Sequence, residues 1–178
     1  MTARLQLHWL PALDHPELLA DPVAAALRAW PLADRVMVTE IDPDLADTQA
    51  MSEAYDIDLS CSANCVVVDG KRAGEVRVAA CVVLATTRAD VNNLVKRRLD
   101  VRKASFLSVD DAVAGSRMEY GGITPVGLPD SWSLLVDAAV TATDEVIIGS
   151  GVRRSKLLLP GSVLAEYPGA EVVQGLGI

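Results

Sequence analysis

Glu119-Tyr-Gly-Gly-Ile-Thr-Pro-Val-Gly-Leu-Pro129 places three glycines and two prolines between apolar, strand-rich segments. Glycine admits positive φ and close approach to the backbone, whereas proline fixes its own φ and removes a donor. Together they predict a stiff loop that presents peptide N–H and C=O groups. Read in isolation, the stretch is equally a tight connection between strands. The segments on either side give it a setting: Ser62-Ala-Asn-Cys-Val-Val-Val68 upstream and Val146-Ile-Ile-Gly-Ser-Gly-Val-Arg-Arg-Ser-Lys-Leu-Leu-Leu159 downstream.

Moving outward, Pro16 to Trp30 carries apolar residues at helical spacing, with Pro22 marking a start or kink. Arg35 to Ile41 alternates as a strand. Asp47 or Thr48 caps a helix through Tyr55, with Ala50, Met51 and Ala54 on one face. Cys65–Val68 and Val76–Leu84 are β-branched runs joined by a polar turn over residues 69–74, which predicts a hairpin. A helix follows over Asp90–Leu99, then a short strand over Ala104–Leu107 and a helix start at Ser108. Beyond the loop, Ser133–Val136, Glu145–Ile148, Lys156–Leu159 and the run at Val172 and Val173 are strand-length, and Pro160 opens a last short helix. Strands and helices mix without a regular βαβ alternation, so the expected fold is α+β: a single domain with a mixed, curved sheet and flanking helices. Residues 1–34 are expected to form a helical extension packed on a domain spanning 35–178.

The 178 residues suit one core, and 51% hydrophobic against 22% charged residues is a globular balance. With one Phe, three Trp and three Tyr, that core must be aliphatic. No apolar run reaches the ~18 residues of a membrane span, and no signal-peptide pattern opens the chain, which predicts a cytoplasmic protein without a membrane partner. A net charge of −8 argues against nonspecific binding to long nucleic acid, DNA included, while leaving room for a local basic face. Lys96, Arg97, Arg98, Arg102 and Lys103 are the densest basic cluster, read either as a solvated helix end or as a phosphate contact.

Cys61, Cys65 and Cys81 lack the further ligands of a zinc site, so no metal is expected. His8 and His15 belong to no hydrolase motif. Gly149-Ser-Gly151 is followed by basic residues and a strand-like run rather than the lysine and helix of a phosphate loop.

In order and content these segments resemble the YbaK-type aminoacyl-tRNA editing domain family, which includes free-standing deacylases and an insertion domain of some prolyl-tRNA synthetases. The resemblance runs from about Arg35 to Gly175. Its most specific element is Gly-x-x-x-Pro, here Gly121 to Pro125. It implies the YbaK/prolyl-tRNA synthetase-associated domain fold and a free-standing aminoacyl-tRNA deacylase without cofactor, whose partner is the tRNA acceptor end. The family's lysine, at the start of the strand holding residues 64–68, is Asn64 here. The resemblance implies catalytic roles for Asn64, Gly121 and Gly122. It implies substrate contacts from Ile123, Thr124, Pro125, Gly127, Gly149, Ser150 and Lys156, and tRNA contacts from Lys96, Arg97, Arg98 and Lys103. Lys156, Arg153 and Arg154 are candidates to supply the missing charge. A rival reading is a non-catalytic binding module that lost hydrolysis with the lysine; a third is a hydrolase of another small acyl ester or amide.

Overall fold

The computed structural model describes residues 7–178. Its first elements are β1 (Leu10–Pro11), α1 (Asp21–Ala29), β2 (Met37–Glu40) and α2 (Thr48–Tyr55). The predicted helix over residues 16–30 is broken: a 3-10 turn at Pro16–Leu18 and extended Leu19 and Ala20 precede α1, and Pro22 lies in the first turn of α1, where its missing N–H costs no intrahelical bond. Asp47 caps α2 by accepting from the Gln49 and Ala50 amides. Met51 and Ser52 are the buried residues of α2, whereas Ala54, expected on its inner face, is exposed.

The hairpin follows as β3 (Ala63–Arg72) and β4 (Glu75–Leu84). Its turn is only Ala73-Gly74, with φ of 50° and 85°. Two left-handed residues match the twist of the flanking strands, so pairing continues through most of the polar stretch expected to be loop. A π-helical turn at Val91–Val95, capped by Asp90, runs into α3 (Lys96–Arg98). Next come β5 (Ala104–Phe106), α4 (Val109–Ser116), β6 (Ser133–Asp137), α5 (Ala138–Thr141), β7 (Val146–Gly149), β8 (Ser155–Leu159), α6 (Gly161–Ala165) and β9 (Ala170–Val173).

The strands divide into two sheets, ordered β1-β2-β8-β7 and β5-β3-β4-β6-β9. The first is antiparallel; the second is mixed, because β6 lies parallel to β4 and β9 parallel to β6. β4 is fully enclosed from Ala79 to Val83, which explains its unbroken apolar run. One face of the five-stranded sheet contributes Ala80, Val82, Leu134 and Val136 to a core shared with α1, Val126 and β8. The other face packs Ala79, Cys81, Val83 and Leu135 against Val91, Val95 and Leu99. A third cluster joins Met51 of α2 to Ile147 and Leu158.

The sheets touch at a bridge between Ser62 and Ile147. β5 pairs β3 only at Val68–Gly70, with Leu107 N–H donating to the Val67 carbonyl just beyond. The β3 edge from Ala63 to Val66 is therefore left without a strand partner, and there the chain leaves a cavity.

Candidate functional site

A cavity of about 660 Å³ lies between the start of β3 and the end of β7, with walls from the α2 entry, the β5–α4 junction and the glycine-proline loop. Asn64, Gly121, Ile123, Gly149 and Lys156, all singled out from sequence, line it together. Strand alternation explains Lys156: Leu157 and Leu159 belong to the α1 side of β8, so Lys156 and Leu158 project toward α2.

Lys156 is 6% exposed. Its Nζ donates to the Ala46 carbonyl at 2.8 Å, and it forms no ion pair among the described residues. Burial lowers its pKa from 10.5 to about 8, with the nearby Asp47 charge opposing the shift and Arg153 adding to it. Two residues after Ala46, the Thr48 hydroxyl donates to Asn64 Oδ1 at 2.7 Å. That bond orients the amide and leaves its two N–H donors for the cavity. Ammonium and amide are thus fixed on one short segment, 46–48, at the mouth of α2.

The loop is locked on β7 and on the turn that follows it. Gly122 N–H donates to the Glu119 carbonyl at 2.9 Å, and its own carbonyl accepts from Gly151 at 2.8 Å. The N–H of Gly122, for which the resemblance implies a catalytic role, is therefore occupied within the loop and not free to meet a substrate. Gly121 and Ile123, which line the cavity, have N–H groups without a partner among the described residues. A Cβ at Gly149 would sit 2.4 Å from the Gly122 carbonyl oxygen, so only glycine permits this contact between loop and strand. Arg153 braces the other side, its guanidinium donating to the carbonyls of Tyr120 at 3.3 Å and Pro43 at 2.9 Å.

Other expected contacts are not brought to the cavity. Thr124 is fully enclosed and Pro125 is buried. Gly127 N–H donates to the Tyr167 hydroxyl, and the Ser150 hydroxyl is held by Ser155 and Val152. None of these four lines the cavity. Lys96, Arg97, Arg98 and Lys103 do not line the cavity; the helical stretch carrying the first three packs on the sheet face opposite α1, and Arg98 pairs with Glu171. Arg154 turns away to the Glu17 carbonyl.

Thr48, Ser62, Phe106 and Tyr120 line the cavity without having been signalled by sequence spacing, because chain segments far apart meet there. The enclosed Ser62 hydroxyl has no partner among the described residues. Half-buried Cys65 also lines it, but desolvation pushes its thiol well above the ordinary range, and burial raises Cys81 to about 12, which disfavours a thiolate nucleophile.

No helix among the described residues is long and apolar enough to cross a membrane. No curated protein matches the chain by sequence. Among solved structures, a protein provisionally assigned as a trans-editing enzyme for prolyl-tRNA synthetase superposes with a TM-score of 0.73 at 18% identity, over 87% of this chain and 94% of that one. A scaffold protein from computational epitope grafting gives 0.73 at 19%, over 87% and 95%. A hypothetical protein gives 0.65 at 22%, over 75% and 85%. These likenesses establish the fold. The family model for the aminoacyl-tRNA editing domain matches residues 42–167, a span that holds the cavity's α2 entry, β3 edge, glycine-proline loop and buried lysine, and the chain belongs to that family.

Proposed function

We propose that the protein is an aminoacyl-tRNA deacylase in which Lys156, delivered from β8, supplies the positive charge that the family places at the start of β3. The observation that carries this reading is the Lys156 ammonium, buried at the cavity wall with no ion pair among the described residues and only the nearby Asp47 charge to support it. Keeping a lysine charged in such a place is costly unless an anionic or developing-negative group comes to meet it.

An aminoacyl ester is already activated, so few side chains are required. Water adds to the ester carbonyl carbon, and the carbonyl electron pair moves onto oxygen. Collapse expels the ribose oxygen, which takes up the proton the water gives away, leaving free amino acid and a restored ribose hydroxyl. The protein's task is to hold the ester and stabilise the oxyanion. Asn64 supplies neutral donors, Lys156 a charge-assisted one, and the Gly121 and Ile123 amides are the loop's remaining candidates.

Multiple-turnover deacylation over a panel of correctly and incorrectly charged tRNAs tests the reading. Release of one amino acid from non-cognate tRNA, lost in Lys156→Met, is expected. Binding of charged tRNA without turnover would instead identify a non-catalytic module, the alternative that Asn64 in place of the family lysine favours. Turnover of small esters but of no charged tRNA would assign a different acyl substrate.

A further inference from the structure

The glycine-proline loop opens with a β-turn closed by the bond from Gly122 N–H to the Glu119 carbonyl, at 2.9 Å. Gly121, third of its four residues, has φ of 83°, whereas Tyr120 before it is outside the left-handed region. That combination is a type II turn. Types I and II differ mainly in their central peptide, which is rotated by about half a turn while the closing bond is kept, and glycine at the third position suits either. The central peptide here joins Tyr120 to Gly121. Its N–H has no partner among the described residues, and Gly121 lines the cavity, so the turn alone does not fix where that donor points.

Half-buried Arg153 fixes it from the other side. The guanidinium donates to the Tyr120 carbonyl at 3.3 Å and to the Pro43 carbonyl at 2.9 Å. A Cβ on Gly121 would lie 2.7 Å from the first of these nitrogens, so the guanidinium rests against that glycine. The one carboxylate bonded to Arg153 is that of Glu119, which accepts from the main-chain N–H at 2.6 Å, while Glu119 N–H donates to the Gly151 carbonyl at 2.8 Å. Glu119 therefore anchors the Arg153 backbone to the start of the turn. Among the described residues no carboxylate forms an ion pair with the guanidinium, whose charge is left to two neutral carbonyls.

We infer that Arg153 is a positioning residue for the reaction: by holding the Tyr120 carbonyl it keeps the Tyr120–Gly121 peptide in the orientation that offers the Gly121 N–H, rather than that of Ile123, to the oxyanion. This rests on the deacylase reading for what the N–H meets. In a trans peptide the carbonyl and the N–H point in opposite directions, so a carbonyl turned to Arg153 turns the N–H away from it. A charged donor on the oxygen also polarises the peptide and strengthens its N–H as a donor. Pro43 lies three residues before Ala46, so the same side chain ties the loop to the segment that holds Lys156 and Asn64.

Two measurements test it, one of them without turnover. Backbone amide NMR spectra are compared between wild type and Arg153→Gln. The Gly121 resonance is expected to shift and broaden by exchange between two peptide orientations, while the Gly122 and Gly151 amides, bonded independently of the guanidinium, stay protected from hydrogen exchange. In assays on charged tRNA, Arg153→Gln should lower kcat by ~10- to 100-fold and leave KM within about twofold, because the N–H is used in the transition state. Rates are compared on the plateau below the Lys156 limb, since Arg153 together with Asp47 also sets that pKa. Arg153→Lys keeps a charged donor and should recover most of the loss. Gly121→Ala disfavours the positive φ and should reproduce it, and Arg153→Gln should add little on that background. An unchanged Gly121 resonance in Arg153→Gln overturns the assignment. So does a loss of protection at Gly122 and Gly151, a raised KM with kcat intact, or full additivity of the two substitutions, each of which makes Arg153 a brace for the loop as a whole. Absence of turnover on every charged tRNA refutes the deacylase reading, and the spectra then still decide whether Arg153 sets the peptide.

Discussion

Lys156 concentrates the site's electrostatic cost in a single side chain. Because its pKa is lowered in the folded protein, both states hold the proton below about pH 8, and the native state bears the buried charge. Between about pH 8 and 10.5 the unfolded chain binds more protons, so this group's contribution to stability rises with pH across that window. Activity should run the opposite way: the catalysed rate, after subtraction of spontaneous ester hydrolysis, falls as pH rises through about 8. Lys156→Met should reduce turnover at least ~100-fold, the scale of one lost oxyanion donor, without lowering the melting temperature. A melting temperature well below wild type would make Lys156 a structural residue. Asp47→Asn keeps a good helix cap but removes the charge that supports the ammonium. It should shift the alkaline limb of the pH–rate profile to lower pH, and an unmoved limb would show that another group titrates there. At Asn64, a lysine would replace the amide bonded to Thr48 and add a cation to a cavity that already holds Lys156. Asn64→Lys is therefore expected to lower both stability and turnover, by ~1–3 kcal/mol in the former. Increased turnover would indicate that the family arrangement can be restored.

The elements around the cavity act as clamps. α2 brings residues 46–48 to the mouth, where one carbonyl and one hydroxyl hold the lysine and the asparagine. The glycine-proline loop is fastened to β7 by the close approach of Gly149 to the Gly122 carbonyl. Gly149→Ala must separate the two, at a cost of ~1–3 kcal/mol for overpacking, and should reduce turnover by displacing Gly121 and Ile123. Gly121 differs, with φ of 83° and a Cβ position 2.7 Å from the tip of the flexible Arg153 side chain. Paired melting and turnover measurements on Gly149→Ala decide whether this clamp matters; wild-type values in both would show that the loop adjusts freely.

Across the whole molecule, the two concentrations of positive charge have different surroundings. Lys156 lines the cavity and Arg153 bonds to the carbonyl of Tyr120 at its edge, whereas Lys96 and Arg97 belong to a helix on the sheet face opposite α1. Lys96→Glu/Arg97→Glu is expected to weaken tRNA binding severalfold at low salt, through lost long-range attraction, and to have little effect at high salt. Unchanged affinity at every salt concentration would remove the helix from the interface. The sequence by itself determined the pieces of this protein: the β-branched hairpin, the Asp47 cap, the strand-length runs after Pro129 and the glycine-proline loop are set by local backbone preference and apolar period. Its order of motifs also pointed to the family. Only the tertiary structure decided that β5 stops short along β3, opening the cavity, and that Lys156 enters it beside Asn64. It also committed the Gly122 amide to a turn and buried Thr124 and Ser150 outside the cavity lining. Periodicity assigns a residue to a face of its own element, but which faces meet, and which polar groups are thereby satisfied or left facing a cavity, depends on packing between segments more than a hundred residues apart.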